Sequence, residues 1–208
     1  MNQIDGFVAV NTVLFLVMAA VRYQDRFVAY WGHDHLEEFF LYSAAILVAI
    51  GVLWRIVRRY HLDLAVLLVV QAGILLHYAG GFVPVDGRRL YDVYLLGIRY
   101  DKYVHLFNGF AAAFLMARLF RIQGIVLTPV NRTLLVFVVL GLGGIVEIVE
   151  YLVMLTLPKA GVGGYDNNMR DLIANLCGSV GYVVSTALVG TRDPSRMARH
   201  SAHPNPEP

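Results

Sequence analysis

Two glutamates lie one helical turn apart inside a long apolar run, in the stretch GGIVEIVEYLVML. Glu147 and Glu150 would share one side of a helix, and an ionised group at such depth in a membrane costs about 2.5 kcal/mol or more. They therefore need a partner, which could be a cation, a metal, a shared proton or water in a cavity. This pair predicts a functional site in which either carboxylate serves as a general base.

The stretch RYDKYVHLFNGF places more polar groups where another apolar run begins. At helical spacing Asp101, His105 and Asn108 share one face, and Lys102 lies beside them. Taken alone, Asp101 could be a helix N-cap and His105 an interhelical hydrogen-bond partner. Taken with the glutamates, Asp101 and His105 predict metal binding or proton relay in a catalytic group. Lys102 and Asn108 are predicted to contact the substrate, Lys102 through a phosphate.

A third polar face opens the last apolar run, in the stretch YDNNMRDLIANLCGSVGY. Asp171 and Asn175 lie on one stripe with Gly178, whose small size allows close approach of another helix. Asp171 is predicted to join the catalytic group, whereas Asn175 is either a substrate ligand or an interhelical hydrogen-bond partner. Arg170 is the nearest cation, and we expect it to neutralise a carboxylate or to bind a phosphate.

The stretch WGHDHLEEFF offers a weaker pattern that is also typical of metal sites. His33, His35 and Glu38 are spaced for metal ligation or proton relay, and His77 ends a neighbouring apolar run on the same side. Imidazole and carboxylate ligands together suit zinc, iron or manganese. A divalent metal at these four residues is therefore a hypothesis that rests on clustering, and ordinary exposed loop residues are its alternative.

The elements that must position these groups are transmembrane helices. Of the 208 residues 58% are apolar and 15% are charged, against about a quarter in soluble domains. Mean hydropathy is +0.60, and a membrane-spanning helix needs about 20 apolar residues. The sequence predicts an all-α protein with six transmembrane helices in one bundle, at residues 6–22, 36–57, 62–79, 103–120, 133–157 and 171–190.

Six spans put both termini on the same side of the membrane. Arginines cluster against span ends in the loops after the second and fourth spans and in the C-terminal tail. By the positive-inside rule both termini are predicted to be cytoplasmic, so the polar groups face the outside of the inner or plasma membrane. The aromatic third loop, residues 80–102, predicts a short interfacial helix. Residues 191–208 lack apolar periodicity and are predicted to be a disordered tail.

Three stretches in order, YDKYVHLFNGF, EIVEYL and RDLIANLCGSVGY, resemble the VanZ-like superfamily of small polytopic membrane proteins. That pattern has D-K-x-x-H where a helix begins, then E-x-x-[QE], and a final helix with R-x-x-D-x-x-x-N-x-x-G or a close variant. More closely, the chain is similar to the YjdF-like branch of bacterial inner-membrane proteins, which has Y-D-x-x-x-H followed by E-x-x-E. The resemblance covers roughly residues 62–190.

This resemblance implies that seven positions are characteristic of the family, namely Asp101, His105, Glu147, Glu150, Asp171, Asn175 and Gly178. Asn167 departs from the YjdF-like pattern, which has an aspartate four residues before Asp171, unless Asp166 takes that part. VanZ-like proteins are associated with glycopeptide resistance and the cell envelope, which implies lipid or wall-precursor chemistry. The resemblance carries over no established reaction.

Three classes of function fit these features. The favoured hypothesis is a hydrolase or transferase, with an optional divalent metal, that acts on a lipid headgroup or lipid-linked phosphate at the outer membrane–water boundary. A proton- or cation-coupled transporter or binding protein would also use buried acids, although the sequence shows no inverted repeat. The third class is a non-catalytic accessory protein of the cell envelope. Membrane lipid is the expected partner in each case, and no nucleic-acid partner is expected.

Overall fold

The long apolar runs fold into α-helices, because helices satisfy their backbone hydrogen bonds internally. The computed structural model describes residues 3–156 and 164–190, so the predicted tail at 191–208 lies outside the described residues. The helices in chain order are α1 Gln3–Met18, α2 Gln24–Trp31, α3 Leu36–Val57, α4 Leu64–Phe82, α5 Tyr100–Ile122, α6 Pro129–Thr156 and α7 Tyr165–Gly190.

Six stretches are long and apolar enough to cross a membrane, which confirms the predicted all-α transmembrane fold. A π-helical segment, Ala19–Tyr23, joins α1 to α2. The first span is therefore longer than the predicted 6–22 and extends from Gln3 to Ala29. The second span ends at Val57 as predicted.

The connection between α4 and α5 contains two β-hairpins, and the short helix predicted within this loop, in the stretch LYDVYLLGIRY, is limited to one 3-10 turn. Strands β1 Pro84–Val85 and β2 Arg88–Arg89 pair antiparallel, and so do β3 Tyr94–Leu95 and β4 Ile98–Arg99. Each two-residue turn has positive φ at both positions, including 75° at Gly87 and 80° at Gly97. Such turns favour glycine, and their backbone twist matches that of paired strands.

A single 3-10 turn at Leu90–Asp92 lies between the hairpins and fastens the connection to the two neighbouring helices. The Leu90 amide donates to the Val83 carbonyl over 3.0 Å, and the Tyr100 amide donates to the Val93 carbonyl over 2.9 Å. The connection therefore packs at the C-terminal end of α4 and the N-terminal end of α5, next to the polar side chains of the predicted site.

Helix α5 lies at the centre of the last four spans, and glycines allow α7 to approach it closely. A Cβ atom at Gly178 would contact the backbone of Leu106 and Phe110, and one at Gly109 would contact the backbone of Asn175. Farther from the polar end, α5, α6 and α7 share an apolar core of Ala113, Ala117, Leu135, Val139 and Tyr182. This packing fixes the relative rotation of α5 and α7.

Gly178→Ala is expected to lower the free energy of unfolding in detergent by about 1–3 kcal/mol, because the added methyl group meets backbone that cannot rotate away. Gly181→Ala is the matched control on the same helix, since nothing lies within 4 Å of a Cβ atom there. Thermal unfolding of both variants checks this expectation. Equal stability of the two variants would contradict the close α5–α7 contact.

Candidate functional site

A buried lysine joins the beginnings of α5 and α7. The Lys102 ammonium lies 2.6 Å from Asp171 Oδ1 and 3.2 Å from Asp101 Oδ2. It also donates to Asn167 Oδ1 over 2.8 Å. The side chain of Lys102 is only 12% exposed, so two carboxylates and an amide together replace the water that its charge would otherwise require.

The carboxylate of Asp171 is the most buried group of the cluster, with 1% of the residue exposed. Its Oδ2 accepts a hydrogen bond of 2.6 Å from the Asn167 amide, one turn earlier on α7. Its Oδ1 lies 3.3 Å from His105 Nε2 as well as near Lys102. Asp171 therefore connects the cationic part of the cluster to a histidine.

Glu147 comes from α6 into the same cluster and is 5% exposed. One ligand atom from each of His105, Glu147 and Asp171 lies within 4.8 Å of the other two. Glu147 Oε1 is fully buried and has no hydrogen-bond partner among the described residues. Glu150, one turn closer to the membrane boundary, is partly buried. Neither glutamate forms an ion pair within residues 3–156 and 164–190.

A buried amide lies beside His105. Asn175 is 7% exposed, and its side chain lies close enough to His105 to interact with the imidazole. Two glycines make room for it, since a Cβ atom at Gly143 would lie 2.8 Å from Asn175 Nδ2 and one at Gly109 would meet its backbone. The sequence offered two roles for Asn175, substrate ligand or interhelical hydrogen-bond partner, and the structure places the side chain at the cluster.

The rim of the cluster is formed by the second hairpin and the turn before it. Arg99 lies 3.2 Å from Asp92 Oδ1 and 3.4 Å from Asp101 Oδ2. It also donates to Asn167 Oδ1 over 3.2 Å, while Arg89 pairs with Asp92 at 2.8 Å. These contacts join the extramembrane connection to the beginning of α7.

Tyr91 lies next to the cluster from the 3-10 turn. Its hydroxyl is hydrogen-bonded with His77 Nδ1, and its ring fills the space that Gly80 leaves open, 2.6 Å from where a Cβ atom would be. Burial raises the pKa of the Tyr91 hydroxyl, and the nearby carboxylates of Asp101 and Glu150 raise it further. A neutral Tyr91 hydroxyl thus faces the same polar region.

Asp101 is not a helix N-cap. Arg99 occupies the cap position and makes no side-chain capping bond, whereas Asp101 lies in the first turn. Asp101 is 7% exposed and is held by Lys102 and Arg99, while its Oδ1 has no hydrogen-bond partner among the described residues. It therefore contributes a buried charge to the cluster.

A family model described as a predicted membrane protein, DUF2238, matches residues 6–192. The chain belongs to the DUF2238 family. This membership agrees with six membrane-crossing helices. No curated protein and no solved structure matches the chain.

In this DUF2238 member, several residues predicted for the site lie elsewhere. Arg170 points away and pairs at 2.9 Å with Asp166, with both side chains well exposed. Asn108 packs against α4, where a Cβ atom at Gly73 would meet its side-chain oxygen. Lys102 is already neutralised by carboxylates, so it offers little free charge to a phosphate.

The four residues predicted to hold a metal do not form one cluster. His33 is exposed, His35 pairs with Glu38 at 3.1 Å on the surface, and His77 is bound to Tyr91. Across the described parts of the chain, three or more potential metal ligands converge only at His105, Glu147 and Asp171.

The sequence did not indicate three contributors to the site, Tyr91, Asp92 and Arg99, and it presented Asn167 only as a departure from the YjdF-like pattern. Asn167 had a usable signal, because it lies one helical turn before Asp171 and so shares its face. It occupies the position where the YjdF-like pattern has an aspartate, and its amide binds both Lys102 and Asp171. Asp166 instead pairs with Arg170 at the surface. The departure at Asn167 therefore lies within the site.

A separate apolar groove runs along another side of α5 in this family member. It has a volume of about 490 Å³ and is lined by Leu76, Tyr103, Leu106, Phe107, Phe110, Cys177, Gly178 and Gly181. Its lining holds none of the clustered acids. A lipid chain in this groove would lie beside the α5–α7 contact rather than on the polar cluster.

Proposed function

We propose that this DUF2238 member is a membrane-embedded hydrolase or transferase acting on a lipid headgroup or a lipid-linked phosphate. One observation carries the proposal: His105, Glu147 and Asp171 converge from three helices, and the buried Glu147 Oε1 has no hydrogen-bond partner in the part of the chain that the structure describes. Buried polar groups that serve only packing are nearly always hydrogen-bonded. An unsatisfied carboxylate beside an imidazole favours a reactive site over helix-to-helix adhesion.

The chemistry would divide among the clustered residues. Hydrolysis or transfer requires a base that takes a proton from water or from an acceptor hydroxyl. Glu147 and Glu150 are the candidate bases, because neither forms an ion pair in the described ranges and Glu150 is partly open to the boundary. His105 and Asp171 would position the reacting groups or a metal. Lys102 would hold Asp171 in place through their ion pair, and Asp101 would hold Lys102.

The same proposal places the site on the extracytoplasmic side of the cell membrane, with both termini cytoplasmic. Arg55, Arg59, Arg118, Arg121 and Arg132 lie at the ends of α3, α5 and α6 remote from the polar cluster. Short loops rich in arginine favour the cytoplasm. The similarity of the motifs to VanZ-like and YjdF-like proteins supports an envelope lipid as the substrate.

A proton- or cation-coupled transporter is the second candidate, and a specific observation favours it. Glu147 and Glu150 form no ion pair with the described basic residues and lie inside a membrane-crossing helix, where transporters carry proton-binding acids. Against a transporter, the sequence shows no inverted repeat, which many secondary transporters have. The enzyme therefore remains our first proposal, and ion uptake into liposomes is the measurement that separates the two.

Glu150→Gln is expected to reduce headgroup release by about 10²-fold or more, because glutamine has the size of glutamate but cannot accept a proton. The assay uses full-length protein in vesicles of bacterial lipid extract and follows water-soluble headgroup products by mass spectrometry. Glu37→Gln is the control, since Glu37 is exposed on α3 on the same side of the membrane. Proton-coupled cation uptake without headgroup release would favour the transporter, and unchanged release by Glu150→Gln would exclude this base.

A further inference from the structure

The charges at the cluster do not balance. Asp171 and Asp101 share Lys102, and Asp101 also contacts Arg99. No basic residue in the described chain pairs with Glu147 or Glu150. Two carboxyl groups within a membrane-crossing helix therefore lack a direct ion-pair partner among the described residues. A bound divalent cation is one way to supply two positive charges where side chains supply none.

The three converging side chains have the arrangement of a ligand set. Ligand atoms bound about 2.0–2.2 Å from a tetrahedral metal lie roughly 3.3–3.6 Å from one another. His105 Nε2 and Asp171 Oδ1 are 3.3 Å apart, and all three ligand atoms lie within 4.8 Å of one another. Small side-chain rotations would bring them onto a common ion.

Glu147 supplies an independent sign of a missing ligand. It is 5% exposed, and its Oε1 has no hydrogen-bond donor within the part of the chain that the structure describes. A buried carboxylate oxygen loses its hydration without compensation unless something binds it. Since a carboxylate oxygen of this side chain also belongs to the group of three, a cation held by His105, Glu147 and Asp171 would compensate the buried carboxylate.

The residues around the cluster also suit a metal centre. A metal-bound histidine is usually held through its second nitrogen, and the buried side chain of Asn175 lies next to His105. Asp171 is oriented by Asn167 through its other oxygen. Lys102 contacts Asp171 Oδ1, but it keeps Asp101 and Asn167 as partners if a cation takes up part of that oxygen.

We propose that His105, Glu147 and Asp171 bind one divalent metal ion of the zinc or manganese type. One imidazole and two carboxylates suit these ions, and three protein ligands leave a position for water or substrate. The inference deepens the proposed function and rests on it for the ion's role, which would be to polarise a phosphate or ester oxygen. With Glu147 bound to the ion, Glu150 is the remaining candidate base.

Metal content is the first measurement. Full-length protein is purified with its affinity tag removed, stripped with a chelator and dialysed against zinc or manganese chloride. We expect about one ion per chain in the wild type and in His61→Ala, an exposed histidine on α3–α4 connecting residues. We expect the His105→Ala and Glu147→Gln variants to bind the metal at least about tenfold more weakly. Losing a metal ligand lowers the affinity more than losing a residue that only supports a ligand. Wild-type protein without bound metal would overturn the site.

Two further results keep the site testable if a variant folds poorly. X-ray absorption of the zinc-loaded wild type is expected to show one imidazole nitrogen and carboxylate oxygens at about 2.0–2.2 Å. Loss of binding in His33→Ala with retention in His105→Ala would instead place the ion at the α2–α3 junction. Headgroup release by metal-free protein would overturn the metal's role and leave the enzyme standing. Stoichiometric binding without release would overturn the enzyme and leave the site standing.

Discussion

Lys102→Met is expected to lower the free energy of unfolding by about 3–5 kcal/mol, because breaking a buried ion pair leaves an uncompensated charge. The substitution removes the ammonium group that lies 3.2 Å from Asp101 and 2.6 Å from Asp171, so that two carboxylates lose their shared lysine. Methionine keeps much of the length of the side chain, so the effect reports the charge rather than a cavity. Thermal or denaturant unfolding in detergent measures it.

Two controls separate this effect from a general loss of charge. Arg118→Met breaks the exposed pair with Asp63, whose side chain is 56% exposed, and should cost less than about 1 kcal/mol. The double variant with Lys102→Met and Asp171→Asn should be less destabilised than the sum of its single changes, because the two residues interact directly. If Lys102→Met lowers the free energy of unfolding no more than Arg118→Met does, the cluster tolerates unpaired acids.

The membrane architecture could be predicted from the sequence, because long apolar runs have few alternatives in a bilayer. The α3 span ends at Val57 as expected. The connection from α4 to α5 could not be predicted in this way. Its strands contain two residues each, too short for an alternating pattern to appear, although Asp86-Gly87 is itself a hairpin signal.

The grouping of polar residues was predictable only where helical spacing determines it. Spacing placed Asp101 near His105 and Glu147 near Glu150 on their own helices. It could not give the rotation of one helix against another, which depends on contacts such as Gly178 against Leu106. For that reason the sequence did not reveal that Lys102 would be enclosed by acids.

The same limit explains the predicted anion-binding and metal-binding residues. Arg170 adjoins Asp171 in the sequence, but neighbouring helix positions differ by about 100° in direction, and Arg170 points to the surface. His33 and His35 lie close together in the chain, yet no acid from α5, α6 or α7 joins them in the described residues. Proximity in the sequence therefore did not determine which face of a helix each of these side chains occupies.

Glu147→Gln is expected to make the metal-free protein more stable, by about 1–3 kcal/mol, although it removes a charge that ordinarily improves solubility. Glu147 Oε1 is buried without a partner among the described residues, and burying such a group costs more when it is charged than when it is neutral. Glutamine has nearly the same shape, so packing is preserved. Unfolding of chelator-treated wild type and variant measures the difference.

The same substitution should reduce headgroup release by at least about 10²-fold, because losing a metal ligand lowers activity more than losing a residue that only supports a ligand. Glu37→Gln, an exposed counterpart, should change neither quantity. Greater stability combined with lost activity is expected of a residue that contributes to function but destabilises the fold. A variant that is less stable than wild type and equally active would show that Glu147 serves the fold. The sign of the stability change thus decides between a reactive site and a structural one.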